Sequence, residues 1–277
     1  MYRNILIALG SGPDADAALD ASIWLTRAFG GVLHGVHVVD PGVYESAVAP
    51  DLSGGIGFEP LYRSSEDFRR RLEEQAGKIL DRFVEAGRRE SVRCQSYTPR
   101  NTIVGGIEEE LRHADLLVVG ARGTRTSQDS HLLGVTTEAV VRSSSKPVLV
   151  VPAPFRNISR PMLAYDESVR ATNALLRAAV FCERLKLRLR VVTAGGRDEG
   201  ERRIDEVRTY LEPYGVEIDG EVRSGEAERV VLETAREFES DLIFLGSHGK
   251  GRILEIVLGS TTEAVLRQSS VPVMCCI

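Results

Sequence analysis

Short apolar runs alternate with longer stretches in which apolar residues recur every three or four positions, and this alternation passes along the chain twice. In the first pass the runs 5–9, 32–39, 92–97, 116–119 and 148–151 read as strands, and the periodic stretches 15–29, 63–88, 102–113 and 135–143 read as helices. The second pass offers strands at 162–165, 187–192, 216–223, 242–245 and 271–276, with helices at 168–184, 199–212, 226–238 and after Ser260. Strands that are apolar on both faces and separated by helix-length segments predict parallel sheets covered on both sides. Pro152-Ala153-Pro154 interrupts the pattern and divides the chain into expected domains 1–153 and 154–277.

The two passes share words as well as rhythm. Segment 241–263, DLIFLGSHGKGRILEIVLGSTTE, repeats segment 115–138, DLLVVGARGTRTSQDSHLLGVTTE. Gly246 follows Gly120 by 126 residues and Pro272 follows Pro147 by 125, whereas Ala164 follows Ala8 by 156. A shorter loop after the second strand of the second copy accounts for the difference. Its longer counterpart in the first copy, 40–60, is rich in Gly and Pro and reads as a surface excursion, with a lid or partner-binding loop as the alternative.

Composition narrows the functional classes. Of the 277 residues, 43% are hydrophobic and 27% charged, as in an ordinary globular protein. No run approaches the roughly 20 apolar residues that cross a bilayer, and the opening MYRNILIALG lacks a small-residue cleavage site, so a cytoplasmic protein is expected. A net charge of −5 gives no overall electrostatic reason to bind nucleic acid. Cys94, Cys182, Cys275 and Cys276 lack metal-ligand spacing and read as inert thiols, and His34 and His37 fall on opposite strand faces, against a shared metal.

The second copy carries the chemistry an anionic ligand needs. Gly246 and Gly249 follow an apolar strand, where missing Cβ atoms permit a tight turn and close backbone approach. Gly259-Ser260-Thr261-Thr262-Glu263 predicts Ser260 as a helix N-cap with Glu263 closing a capping box, and the positive helix end would face a phosphate. Asp166, closing the first strand of this copy, reaches the same sheet edge. Singly, each residue also fits a purely structural role: turn glycines, an ordinary cap, an Asp starting a helix.

Together the spacing Gly246-x2-Gly249-x9-Gly259-Ser260, with Asp166 after the first strand, resembles the nucleotide motif of the universal stress protein family, and the likeness spans the chain as two tandem domains. It implies an α/β fold of two tandem Rossmann-like (adenine nucleotide alpha hydrolase-like) domains, each a five-stranded parallel sheet with helices on both faces. It also implies a cytoplasmic ATP-binding regulator of the stress response, acting through an unidentified protein partner, with magnesium as an optional companion of the nucleotide. By that likeness Asp166 contacts the adenosine and Val191 lines the adenine pocket. Gly246, Ser247, His248 and Gly249 approach ribose and phosphates, while Gly259, Ser260 and Thr261 hold the phosphates. The apolar last strands 147–151 and 272–276 are expected to join edge to edge within the chain, and a further homodimer rests on the likeness alone.

The first copy departs from the motif. Gly10 stands in place of Asp166, ten residues rather than nine separate Gly123 from Gly134, and Val135 replaces Ser260. These changes predict a degenerate domain that is structural or partner-binding. Gly10-x-Gly12-x-x-Ala15 with Asp40 also matches a dinucleotide fingerprint, which the repeat argues against. For catalysis the motif offers only His248 and Lys250, and no Walker lysine follows the required spacing, so at most a weak ATPase or nucleotidyl transferase is the alternative to a binding module.

Overall fold

The computed structural model describes residues 2–39, 58–122, 133–247 and 258–277, with side chains described for all of these except 58–69. The first half runs β1 (Asn4–Ala8), α1 (Pro13–Phe29), β2 (Val32–Val36), α2 (Phe58–Arg89), β3 (Cys94–Tyr97), α3 (Ile103–Leu111), β4 (Leu116–Gly120), α4 (Val135–Ser143) and β5 (Val148–Val151). The second runs β6 (Pro161–Ala164), α5 (Val169–Leu185), β7 (Leu189–Ala194), α6 (Arg197–Leu211), a 3-10 turn at Glu212–Tyr214, β8 (Ile218–Arg223), α7 (Ala227–Glu237), β9 (Leu242–Gly246), α8 (Ser260–Gln268) and β10 (Val273–Cys276). Each helix sits where the periodicity placed one, although α2 begins five residues earlier and β2 ends at Val36 rather than 39. The segment 40–60, expected to be a surface excursion with a lid or partner-binding loop as the alternative, falls largely on 40–57, outside the described residues.

Local chemistry sets several boundaries. Helix α1 opens with Pro13, carries Asp14 and Asp16 in its first turn and Arg27 in its last, and stops at Gly30, whose φ of 64° only glycine adopts freely. Ser168 caps α5 by accepting the Ala171 amide at 3.1 Å.

The ten strands form one sheet in the order β3-β2-β1-β4-β5-β10-β9-β6-β7-β8. Every pairing within a half is parallel, and only β5 and β10 run antiparallel, with Val150 opposite Val273 and Val148 opposite Cys275. The edge-to-edge union expected from the two Val-rich ends is therefore present. Because this seam reverses direction, the carboxyl ends of the two halves' strands lie at opposite edges of the sheet.

Both faces of the sheet are covered continuously across the seam. On one, Phe181 of α5 packs its ring 5.6 Å from Phe29 and 6.4 Å from both Tyr2 and Trp24 of the first half, and 5.5 Å from Phe244 of its own. On the other, α4 lies beside α8, and Glu138, Arg142, Glu263 and Arg267 form a ring. Arg142 meets Glu138 at 2.8 Å and Glu263 at 3.6 Å, and Arg267 meets Glu263 at 2.9 Å and Glu138 at 3.5 Å. Half-exposed pairs of this kind contribute at most about 1 kcal/mol each, so they set the pairing of the helices more than their stability. Burial pushes the Cys182 and Cys275 thiols up to about 12, which keeps both protonated and unreactive at neutral pH.

Among the described residues no helix is long and apolar enough to cross a membrane. A chain truncated after Pro154 would leave the apolar β5 edge without its partner, and it should run as a dimer or aggregate in size-exclusion chromatography. A stable monomer would contradict the role given to the seam.

Candidate functional site

In the second half, β6 sits between β9 and β7, and the chain leaves β6 toward one face and β9 toward the other. Parallel sheets bind ligands at such a switch point, beyond the carboxyl ends of the strands. A cavity of about 160 Å³ opens there. Ala164, Val192 and Leu245 from the three strands form its floor, Val230 and Val231 of α7 form a wall, and Asp166, Gly246, Gly259, Ser260, Thr261 and Thr262 surround the polar end.

The turn after β6 is held by several hydrogen bonds. Asp166 is exposed and accepts the Ser168 amide with Oδ1 at 3.0 Å, and its Oδ2 has no partner among the described residues. Glu167 adopts φ 64°, uncommon for a residue with a side chain, and its carboxylate is clamped by Arg202 at 2.7 and 2.8 Å and by Arg203 at 2.9 Å. The hydrogen bonds from Arg202 and then Arg203 pull the Glu167 pKa down to about 2. Tyr165 joins the same group through its hydroxyl, which donates to Glu206 at 2.8 Å. The partners of Glu167 and Tyr165 lie 35 to 41 residues away, so no local motif announced them.

Gly246 lines the cavity and has a packing reason to be glycine. A Cβ there would lie 2.8 Å from the Arg170 carbonyl carbon and 2.9 Å from the Ala171 nitrogen in the first turn of α5. Gly120 meets the same obstacle at Asp14, 2.9 Å away. Thr262 donates its hydroxyl to the Gly246 carbonyl at 2.9 Å and Thr137 to Gly120 at 2.7 Å, tying α8 and α4 to the strand ends beneath them.

Asp166, Gly246, Gly259, Ser260 and Thr261 are thus brought to one cavity, and four expectations are corrected. Val191 does not line it: Val191 packs with Leu163 and Phe244 on the opposite face, and its neighbour Val192 faces the cavity, because successive strand side chains alternate. Ser247 is buried away from the lining, its amide donating to the Cys276 carbonyl at 2.8 Å. Ser260 is not the cap; Gly259 holds that position with φ −61° and ψ 144°, and Ser260 is the first helical residue. Glu263 makes no capping box, since its carboxylate is engaged by Arg267 at 2.9 Å and faces Arg142 across the seam. By the same geometry Gly134 caps α4, so Val135 costs that helix no capping hydroxyl and is 85% exposed. His248 and Gly249, like Lys250, lie outside the described residues.

The first half keeps a matching cavity of about 220 Å³ at its own carboxyl edge, lined by Ala8, Gly10, Val36, Val119, Gly120 and Thr137 among others. Asp14 of the dinucleotide-like turn is buried and bound to Arg122. No cluster of three or more His, Cys, Asp or Glu that would hold a metal occurs among the described residues.

Two measurements follow from this geometry. Gly246→Ala and Gly120→Ala should each destabilise the fold by about 1–3 kcal/mol in denaturant unfolding, since a helix backbone must shift. The depressed Glu167 pKa means that its contribution to stability is present above 4.5 and lost as the pH falls toward about 2. Melting temperatures of Glu167→Gln should therefore depend less on pH than those of the parent across that window, and identical profiles would remove the clamp from the stability account.

The family model for the universal stress protein family matches residues 1–152 and again 193–276, and so reaches both halves and includes Gly246, Gly259 and Ser260. A universal stress protein of Synechocystis is 29% identical over 98% of this chain and 99% of its own length. One from Mycolicibacterium smegmatis is 24% identical over 98% and 96%. Among solved structures, a universal stress protein from Archaeoglobus fulgidus covers 100% of this chain and 98% of its own with a TM-score of 0.76 at 20% identity, a likeness of fold. With its two α/β halves and the strand-end glycines of both copies inside the matched stretches, the chain belongs to the universal stress protein family.

Proposed function

We propose that this is an ATP-binding regulatory protein of the stress response, with residues 154–277 as the nucleotide-binding domain and 1–153 as a structural or partner-binding domain. One observation carries the reading: a single cavity brings together a carboxylate with an unengaged oxygen, an apolar floor and a helix N-terminus flanked by hydroxyls. An adenine nucleotide needs these groups in this order. Its base buries against Ala164, Val192 and Leu245, its ribose hydroxyls donate to Asp166, and its phosphates lie against the unpaired first-turn amides of α8. At about 160 Å³ the enclosed space is smaller than the roughly 300–1,000 Å³ of drug-sized pockets. It suits the base, and it leaves the phosphates at the open mouth beside Ser260 and Thr261, with or without magnesium. Occupancy there bears on α8, whose Glu263 and Arg267 touch α4 of the other half, so a change at the site has a mechanical route to a surface read by a partner protein.

Mass spectrometry of small molecules released by denaturing the purified protein should find an adenylate. Asp166→Ala should weaken ATP binding at least about tenfold, as expected for loss of a charged hydrogen bond, and Gly259→Val should place a branched side chain where the phosphates pass. A protein that carries no nucleotide and shows no thermal shift with ATP would overturn the reading.

A further inference from the structure

The two cavities occupy equivalent places and are lined by different polar groups. Asp166 is the only charged group in the described lining of the second, whereas the described lining of the first contains Arg122 and no acid, and Gly10 stands where the second has Asp166. We propose that the first-half cavity is a binding site for a small carboxylic acid with an apolar body, received by Arg122. This goes beyond the nucleotide reading and does not depend on it.

Arg122 is held in place before any ligand arrives. Its Nε donates to Asp14 Oδ2 at 2.7 Å, its Nη2 to Oδ1 at 3.0 Å, and its own amide to Oδ2 at 3.0 Å. Asp14 is only 4% exposed and accepts a fourth bond, from the Ala153 amide at 2.9 Å. Each carboxylate oxygen thus has two donors, so Asp14 is fully satisfied. This side-on pairing occupies one edge of the guanidinium and leaves Nη1 with no acceptor among the described residues. A planar fork fixed in this way is suited to a second carboxylate.

Two further features agree. Thr136 and Thr137 bring the positive end of α4 to the same cavity. Val36, Val38, Ile103, Ile107 and Val119 supply an apolar part of the lining. A cavity of about 220 Å³ with one polar end and one apolar end fits an anion with a hydrocarbon or aromatic body better than a fully hydrated inorganic ion. A ribose finds no carboxylate acceptor here among the described residues.

Benzoate serves as the probe, titrated calorimetrically into the full chain. One saturable site is expected. Gly10→Asp tests it directly, because a Cβ at Gly10 meets only the Ala15 Cβ at 3.7 Å and the new carboxylate would stand where Asp166 stands in the other half. Gly10→Asp should weaken benzoate at least about tenfold. The neutral Gly10→Ser should bind it nearly as the parent does, which separates charge from bulk, and circular dichroism should show both variants folded. Asp166→Ala should leave benzoate binding unchanged while ATP binding falls, so failure of either site is read independently of the other. The proposal is overturned by absence of saturable binding, by equal affinity in Gly10→Asp, by inorganic phosphate competing at equal concentration, or by ATP displacing benzoate from Asp166→Ala.

Discussion

The apolar strands β5 and β10 are four residues each, and in an isolated half either would present a row of unpaired amides and carbonyls at the end of a sheet. Pairing them antiparallel satisfies those groups and makes one sheet from two. Three consequences follow from the direction of that single pairing. Tyr2, Trp24 and Phe29 come to share one buried aromatic cluster with Phe181. Helices α4 and α8 lie side by side, so the Glu-Arg pair of each reaches the other. The carboxyl edges, where ligands collect, face away from each other.

Within each half the cavity is set by a close approach of backbone to backbone. The helix that follows the first strand packs its first turn onto the end of the fourth, and only glycine at 120 and 246 permits it. Thr137 and Thr262 then fasten the next helix start to the same strand end. This frame is identical in both halves and says nothing about the ligand. The chemistry lies in residues the frame leaves unconstrained: Gly10 against Asp166, Leu9 against Tyr165, Val135 against Ser260.

Much of this was legible in the sequence because it depends on short-range pattern. Buried parallel strands are apolar runs, their crossovers are helix-length, and a duplicated phrase at constant offset fixes the tandem arrangement. The same buried character hid the register: Val191 and Val192 are both apolar, and a strand covered on both faces lacks the alternation that tells which side chain points to the cavity. Ser260 matched a capping box by spacing, yet Glu263 had a better-placed cation at Arg267 and another at Arg142, 121 residues away by number, and cap geometry passed to Gly259. Asp14 with Arg122, and Glu167 with Arg202 and Arg203, join residues that no local motif connects, so they became visible only once the topology had brought them together.

A symmetric pair of identical chains must carry the same site twice, since any substitution appears in both copies. Joining the halves in one chain removes that restriction while preserving the pseudo-twofold frame. Arg122 shows the freedom this allows: its partner Asp14 also holds the Ala153 amide at the junction of the halves, and the equivalent of Asp14 in the second half is Arg170, whose backbone meets Gly246 as that of Asp14 meets Gly120. One position in the frame is therefore an anion that organises a cation beside one cavity, and in the other half the same position carries the opposite charge. Backbone packing is the constraint both copies obey, and side-chain charge is what each was left free to change.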